Sequence, residues 1–269
     1  MSTFPEPVLH LVNGFVLPID EPAHIAGVAY PEIMSPARSQ RIAGIVLLFG
    51  FVYLAFEFIA AMAWVDPPYD WAANYISDLG FADCAVVEGM RLCSPLHPLM
   101  NAGFLVQGTV FTIGSILVVR LMLPERWTRV LVGILLVISG AGTFLVGIFH
   151  QSLGLYEAGL NSFHVFAAFL AIGAGNIGIV LLGLLVLGQR EWRGYGIAVL
   201  AIGVIGIAAG LLLLARNDLG LGIGVVERIA VYPLNAWTIG TGVGLLVKGV
   251  RDRRRFARAR AAAATPSPA

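Results

Sequence analysis

Long apolar runs, separated by short polar segments, fill most of the chain between residues 42 and 248. A helix needs about 20 apolar residues to cross a hydrocarbon core of ~30 Å. The runs lack the strict alternation of barrel strands, and lipid offers no partner for free backbone groups, so each run is predicted to be a helix. The predicted spans are about 42–64, 97–121, 128–149, 164–188, 195–215 and 226–248.

Composition supports the same class of protein. The 269 residues are 58% hydrophobic and 12% charged, with a mean hydropathy of +0.85, whereas a soluble domain carries about 25% charged residues. The predicted fold is therefore an all-α integral membrane protein, a six-transmembrane-helix bundle over residues 41–250. The net charge of +1 identifies no partner, and the sequence shows no nucleic-acid-binding pattern. The single lysine among 17 basic residues is typical of a GC-rich bacterial genome.

The basic residues orient the predicted bundle. The positive-inside rule places the loops that are rich in Lys and Arg in the cytoplasm. One side carries Arg38, Arg41, Arg120, Arg126, Arg129, Arg190, Arg193, Lys248, Arg251, Arg253, Arg254, Arg255, Arg258 and Arg260; the other carries Arg91, Arg216 and Arg228. Both termini are therefore predicted to be cytoplasmic (N-in/C-in), in a bacterial cytoplasmic membrane.

Two terminal segments flank the predicted bundle. Residues 1–40 contain several prolines and little periodicity, so we expect a mostly disordered cytoplasmic tail without a cleaved signal peptide. A short interfacial element near residues 8–17 is the alternative. Residues 251–269 begin with a cluster of arginines and are predicted to form a basic cytoplasmic tail, which serves as a topology anchor or contacts anionic lipid.

The two cysteines, Cys84 and Cys93, fall in the loop between the first two spans. The charge pattern places this loop outside, where disulfides form and persist. A single disulfide is predicted, with two free thiols as the alternative. A lone pair at this spacing matches no recognised metal-binding pattern.

Polar residues gather at the outer end of the predicted bundle. Ionisable groups in a span are costly and usually face the bundle interior, so the acid in span one, Glu57, is a candidate for a functional role. The outer ends of the spans carry three histidines. Polar residues one or two helical turns closer to the membrane interior lie on the same helix faces. The set comprises His97, Asn101, His150, His164, Glu227, Arg228 and Tyr232.

Three chemistries can be considered for a pocket at this end of the bundle. Zinc held by His97, His150 and His164 could activate water, although the spacing supports no known zinc motif. A histidine and a carboxylate could act as general acid and base while Arg228 holds a headgroup. Haem is disfavoured because its axial histidines usually lie deeper in a bundle. We expect no cofactor, with zinc as the alternative.

Four short motifs resemble a known family. NYISDLG follows span one, LVGIFH ends span three, SFHVFAAF opens span four and VERIAVYPLNAW opens span six. They resemble the bacterial and archaeal membrane proteins grouped as "domain of unknown function 998". YISDLG resembles, more distantly, the Frag/Sfk/damage-regulated autophagy modulator proteins, which are tied to lipid remodelling or lipid-dependent membrane organisation.

The resemblance implies a six-helix fold and points to particular positions. These are Ser77, Asp78, Gly80, His164, Glu227 and Arg228. His150 stands where the bacterial family is expected to have proline, and the cysteine pair is an elaboration of this chain. The family name supplies no reaction.

These observations predict that the protein recognises, and in one version modifies, a lipid or amphiphile at the outer leaflet. An enzyme would be a lipid hydrolase or transferase with Asp78, His164 and Glu57 as catalytic groups. The predicted substrate-binding residues are Ser77, His97, Asn101, Glu227, Arg228 and Tyr232. The alternative is a non-catalytic scaffold or stability factor for another membrane protein, and a small-molecule transporter is third. The expected partners are membrane lipids, another membrane protein or a second copy of the chain.

Overall fold

The structure is a computed structural model that describes the backbone of residues 10–12, 15–17, 36–87 and 89–263 and the side chains of residues 38–87 and 89–252. In the N-terminal unit, β1 (His10–Val12) and β2 (Phe15–Leu17) form an antiparallel pair. This pair lies in the segment predicted to be mostly disordered. Residues 36–40 of that segment belong to a helix, and the rest of it is outside the described residues. The second unit, residues 36–269, contains the predicted spans.

Within the described part of the chain, six helices are long and apolar enough to cross a membrane, which confirms the predicted number. The first span is divided into α1 (Pro36–Leu48) and α2 (Gly50–Ala63) by a turn at Phe49. The others are α3 (His97–Met122), α4 (Arg126–Ile148), α6 (Asn161–Val186), α7 (Arg193–Leu214) and α8 (Ile223–Ala263), and a short α5 (Leu153–Glu157) precedes α6.

The bounds agree with the predicted spans to within a few residues except at the end of the chain. The sixth span was predicted to end near residue 248, but α8 continues to Ala263, through much of the predicted basic tail. Alanine and arginine, which dominate residues 253–263, are among the strongest helix formers. The helix therefore continues after the apolar pattern has ended.

The helices pack in chain order and the last one closes on the first. The packed pairs along this path are α2–α3, α3–α4, α4–α6, α6–α7, α7–α8 and α8–α1, and α1–α3 and α6–α8 also pack together. Small residues allow close contact: a Cβ on Gly142 in α4 would lie 2.7 Å from Ala167 O in α6, and one on Gly183 in α6 would lie 2.9 Å from Gly196 O in α7. Close approach of backbones is the usual basis of helix association in lipid.

The proline inside the last span is accommodated by an amide on a neighbouring helix. Pro233 lies inside α8 and removes one backbone N–H from the helix. Asn176 Nδ2 in α6 donates to Ala230 O, three residues before this proline, at 2.9 Å. A side chain on a neighbouring helix thus satisfies a carbonyl close to the interruption, as membrane helices with proline require.

The segment between α2 and α3, residues 65–96, is called loop one. It contains a 3-10 turn (Ser77–Gly80) and a hairpin of β3 (Cys84–Val87) and β4 (Met90–Cys93). Cys84 and Cys93 are directly opposite in the hairpin and form a disulfide, which confirms that prediction. Gly89 in the hairpin turn has a φ of +83°, a conformation that favours glycine.

Loop one lies against the connections between the later helices. Ala82 N donates to Gln151 O at 2.9 Å, and Gly224 N donates to Ala72 O at 2.8 Å. The loops 65–96, 149–160 and 215–222 therefore meet at one end of the bundle, which is called the loop-one end.

Candidate functional site

A buried ion pair joins the first and last spans near the loop-one end. Glu57 in α2 has no exposed surface, and Arg228 in α8 is 7% exposed. Arg228 Nε lies 3.3 Å from Glu57 Oε1, and the Tyr232 hydroxyl donates to the same oxygen at 2.9 Å. Since a charge removed from water is costly unless it is paired, this pair and its hydrogen bond account for an acid at this depth.

The remaining donors of Arg228 hold the backbone of loop one. Arg228 Nη1 donates to Trp71 O at 3.1 Å, to Asn74 O at 3.2 Å and to Gly224 O in its own helix at 3.0 Å. The guanidinium carbon also lies 4.8 Å from the centre of the Trp71 ring, within the range of a cation–π contact. The guanidinium therefore connects α2, α8 and loop one.

Tyr69 completes the surroundings of the guanidinium. Arg228 Nη2 donates to the Tyr69 hydroxyl, and that hydroxyl donates to Tyr75 O at 2.8 Å. Burial raises the pKa of the Tyr69 phenol well above its usual value, although the neighbouring Arg228 charge opposes the shift. The phenol stays protonated at neutral pH and keeps its donor role in loop one.

Two further acids receive backbone N–H groups of loop one. Ile76 N donates to Glu227 Oε2, and Tyr75 N donates to Asp78 Oδ2 at 2.9 Å. Asn74 Nδ2 also donates to Asp78 Oδ2, at 3.2 Å. Because carboxylates that accept backbone N–H groups fix local conformation, these acids shape the turn at residues 74–80.

Asn101 and His97, which were predicted to bind substrate, lie near the start of α3. Asn101 Nδ2 donates to Gly80 O at 2.9 Å, so this side chain also holds loop one. His97 is half-buried at the first position of α3. Their predicted binding roles stay predictions.

An internal cavity lies among α2, α3, α4, α6, α8 and loop one. It has about 580 Å³ of empty space, including the part that is open to the surroundings. Its polar lining consists of Tyr53, Ser77, Gln107, Ser139, Thr143, His164, Glu227 and Asn235, and its apolar lining of Ile76, Phe104, Phe111, Val146, Ala168, Ala171, Ile172, Val231 and Leu234. A mostly apolar wall with a few polar groups is the usual character of a small-molecule site.

Of the predicted site residues, Ser77, His164 and Glu227 line this cavity. The others belong to the contacts that hold loop one or lie elsewhere at the loop-one end, and they are Glu57, Asp78, His97, Asn101, His150, Arg228 and Tyr232. The predicted residues therefore lie at one end of the bundle but belong to two arrangements: a cluster that fixes loop one and a cavity beside it.

His164 is held in one orientation at the wall of the cavity. It is 4% exposed, and its Nδ1 lies 2.8 Å from Phe149 O. A carbonyl oxygen only accepts, so Nδ1 carries the proton, and in the neutral ring Nε2 is an acceptor. His164 lines the cavity, so a bound molecule could donate to this nitrogen.

The three histidines do not assemble a metal site. Within residues 38–87 and 89–252, no group of three or more His, Cys, Asp or Glu side chains is placed to hold a metal ion. His97, His150 and His164 begin or follow three different helices, and the first two remain half-buried at the loop-one end. This part of the chain therefore contains no set of ligands for the zinc that the sequence offered as an alternative.

Sequence reasoning missed Tyr53 and Gln107, which line the cavity, and the loop-one residues that contact Arg228. Tyr53 stands one helical turn before Glu57 on the same face of α2, so helical spacing could have identified it. Gln107 is an amide deep in an apolar span, which is itself a signal. No sequence signal marks the carbonyls of Trp71 and Asn74 that accept from Arg228, because every residue has a backbone carbonyl.

The fold and site define a multi-pass helical membrane protein with a buried ion pair beside an internal cavity. Residues 47–244 match the family described as Protein of unknown function (DUF998), and the chain belongs to that family. The predicted resemblance is confirmed, while the more distant resemblance to the Frag/Sfk/damage-regulated autophagy modulator proteins stays a prediction. No curated protein and no solved structure matches the chain.

Proposed function

We propose that the protein binds a lipid or another amphiphile in the internal cavity. The observation that carries this proposal is the lining: apolar side chains such as Phe104, Phe111 and Leu234 stand beside His164 and Glu227. An amphiphile matches such a wall because its chain removes apolar surface from contact with water and its head group meets the polar side chains. The cavity lies inside a bundle whose helices suit a lipid bilayer.

The proposal includes an orientation. Loop one faces the outside of a bacterial cytoplasmic membrane and both termini face the cytoplasm. The distribution of arginines supports this orientation under the positive-inside rule, and the disulfide of loop one suits an oxidising compartment. The ligand then enters from, or is recognised near, the outer leaflet.

In this proposal the ion pair of Glu57 and Arg228 has a positioning role. The guanidinium holds the carbonyls of loop one, and loop one contributes Ile76 and Ser77 to the cavity wall. Arg228 therefore acts through loop one. If the protein also modifies its ligand, the histidine and carboxylate that face the cavity are His164 and Glu227.

The test is to fill the cavity. Ala168 in α6 lines it, whereas Val165 in the same helix is 57% exposed on the outer surface of the bundle. Native mass spectrometry of the detergent-extracted protein should show a bound amphiphile in the wild type and in Val165→Phe. The bound mass should be absent in Ala168→Phe.

Two results would contradict the proposal. One is a wild-type protein that carries no amphiphile after mild extraction and takes up none from added lipid. The other is equal binding by Ala168→Phe and Val165→Phe, which would place the lipid on the outer surface. Either result would leave the scaffold or the transporter as the better account.

A further inference from the structure

Two buried amides line the cavity without hydrogen-bond partners. Gln107 in α3 is 4% exposed and Asn235 in α8 is 3% exposed, and both line the cavity. Gln107 Oε1 and Asn235 Nδ2 have no partner among the described residues. Most buried polar side chains in folded proteins are hydrogen-bonded, so two unpartnered amides on one cavity wall are unusual.

Two of the hydroxyl groups that line the cavity are already committed as donors. Ser139 donates its hydroxyl to Ala171 O at 2.6 Å, and Thr143 donates to Ser139 O at 3.0 Å. The amides are different because each offers both a donor and an acceptor. Together with the free Nε2 of His164, they form a set that a ligand with its own donor and acceptor can satisfy.

The charge of the lining restricts the ligand further. Among the residues that the structure describes, no lysine or arginine lines the cavity. The guanidinium of Arg228, the residue next to Glu227 in α8, is engaged by Glu57, Tyr69 and the carbonyls of loop one. The acid of the described lining, Glu227, accepts the backbone N–H of Ile76. Phosphate and carboxylate groups are usually bound by cationic side chains, and the cavity offers none.

We infer that the ligand has an uncharged head group with both a hydrogen-bond donor and an acceptor, a hydroxyl or an amide, held by Gln107 and Asn235. This inference rests on the proposed binding of an amphiphile in the cavity. It names a class, a single-chain alcohol, acylglycerol or fatty amide, and it excludes anionic phospholipids as the occupant.

The experiment uses three probes with an oleoyl or oleyl chain and different head groups. They are monooleoylglycerol, which is uncharged, oleoyl lysophosphatidic acid, which is anionic, and oleylamine, which is cationic. Each is titrated into the delipidated full-length protein and followed by native mass spectrometry. We expect monooleoylglycerol to bind at least about tenfold more tightly than either charged probe, because burying a charged head group in a mostly apolar cavity without a counter-charge is costly.

Two variants and a control assign the contact to the amides. Gln107→Leu and Asn235→Leu should each weaken monooleoylglycerol binding by about tenfold. Their melting temperatures should not fall, because neither amide loses a hydrogen bond within the protein. Ser115→Ala is the control: its hydroxyl is also buried and unpartnered, but it lies outside the cavity lining, and binding should be unchanged.

The outcomes separate the inference from the function on which it rests. Tighter binding of lysophosphatidic acid or oleylamine, abolished by Ala168→Phe, would overturn the uncharged head group and leave amphiphile binding intact. Unchanged binding of monooleoylglycerol in both leucine variants would overturn the role of the amides. Failure of all three probes to bind, with no amphiphile in the extracted protein, would overturn the proposed function as well.

Discussion

At the scale of single residues, Arg228 is the side chain with the most connections at the loop-one end. It pairs with Glu57, contacts the faces of Tyr69 and Trp71, and donates to backbone carbonyls of loop one. Arginine suits this position because its planar guanidinium carries five donors and stacks on aromatic rings. A lysine offers a point charge and three donors, and it could not replace all of these contacts.

Replacing Arg228 by methionine should lower the free energy of unfolding by about 3–5 kcal/mol, because the Glu57 carboxylate would remain buried without its cation. Thermal unfolding in detergent measures the loss. The control is Lys248→Met in the same helix, whose ion pairs with Glu191 and Asp252 are at the surface, where the lysine side chain is 26% exposed. Such surface pairs contribute about 0–1 kcal/mol. Equal losses in the two variants would contradict the structural role of Arg228.

At the scale of elements, loop one docks on the start of α8 through backbone contacts. A Cβ on Gly224 would lie 2.9 Å from Trp71 O and 3.0 Å from Ala72 O, and even closer to Asn74 O. Gly224 N also donates to Ala72 O. The helix and the loop can approach this closely because position 224 has no side chain.

Gly224→Ala should therefore displace loop one and lower the melting temperature. The matched change is Gly240→Ala in the same helix, where a Cβ would meet nothing within 4 Å. At that position the alanine should be neutral or stabilise the helix by up to about 1 kcal/mol. Limited proteolysis of loop one provides the second readout, and cleavage should accelerate in Gly224→Ala alone. Equal cleavage rates in both variants would show that the docking does not depend on this contact.

At the scale of the whole molecule, successive connections between the spans lie at alternate ends of the helix bundle. The connection 149–160 lies at the loop-one end and the connection 187–192 lies at the other. The proposed orientation places the first outside and the second in the cytoplasm.

A membrane-impermeant maleimide tests this orientation. Ala158→Cys should be labelled in intact cells, whereas Gly188→Cys should be labelled only after lysis. Both positions are exposed, so they differ in side of the membrane and not in burial. The native cysteines are paired with each other and do not compete for the reagent. Labelling of Gly188→Cys in intact cells would reverse the orientation.

The number of spans could be predicted from the sequence because a single apolar segment that crosses a membrane must be a helix, in which its backbone groups bond to one another. The sequence predicted the polar end because ionisable groups are rare in spans and therefore conspicuous. It could not predict that Arg228 holds loop one, because the acceptors are backbone carbonyls, which every residue has. The sequence also could not show that Glu227 lines the cavity whereas Glu57 does not. Which acid faces the cavity depends on the rotation of each helix about its axis.

The contact between the first and the last span also has a consequence during synthesis. Tyr232, the hydrogen-bond partner of Glu57, lies 175 residues later in the chain, and Arg228 is four residues before it. At about 5–20 residues per second, a ribosome reaches this arginine roughly 10–30 seconds after the glutamate. Throughout that interval the nascent chain carries the acid without the guanidinium that later balances it. A ribosome that stops before α8 thus leaves a chain with no such partner, and we expect the cell to degrade it instead of retaining a partly working protein.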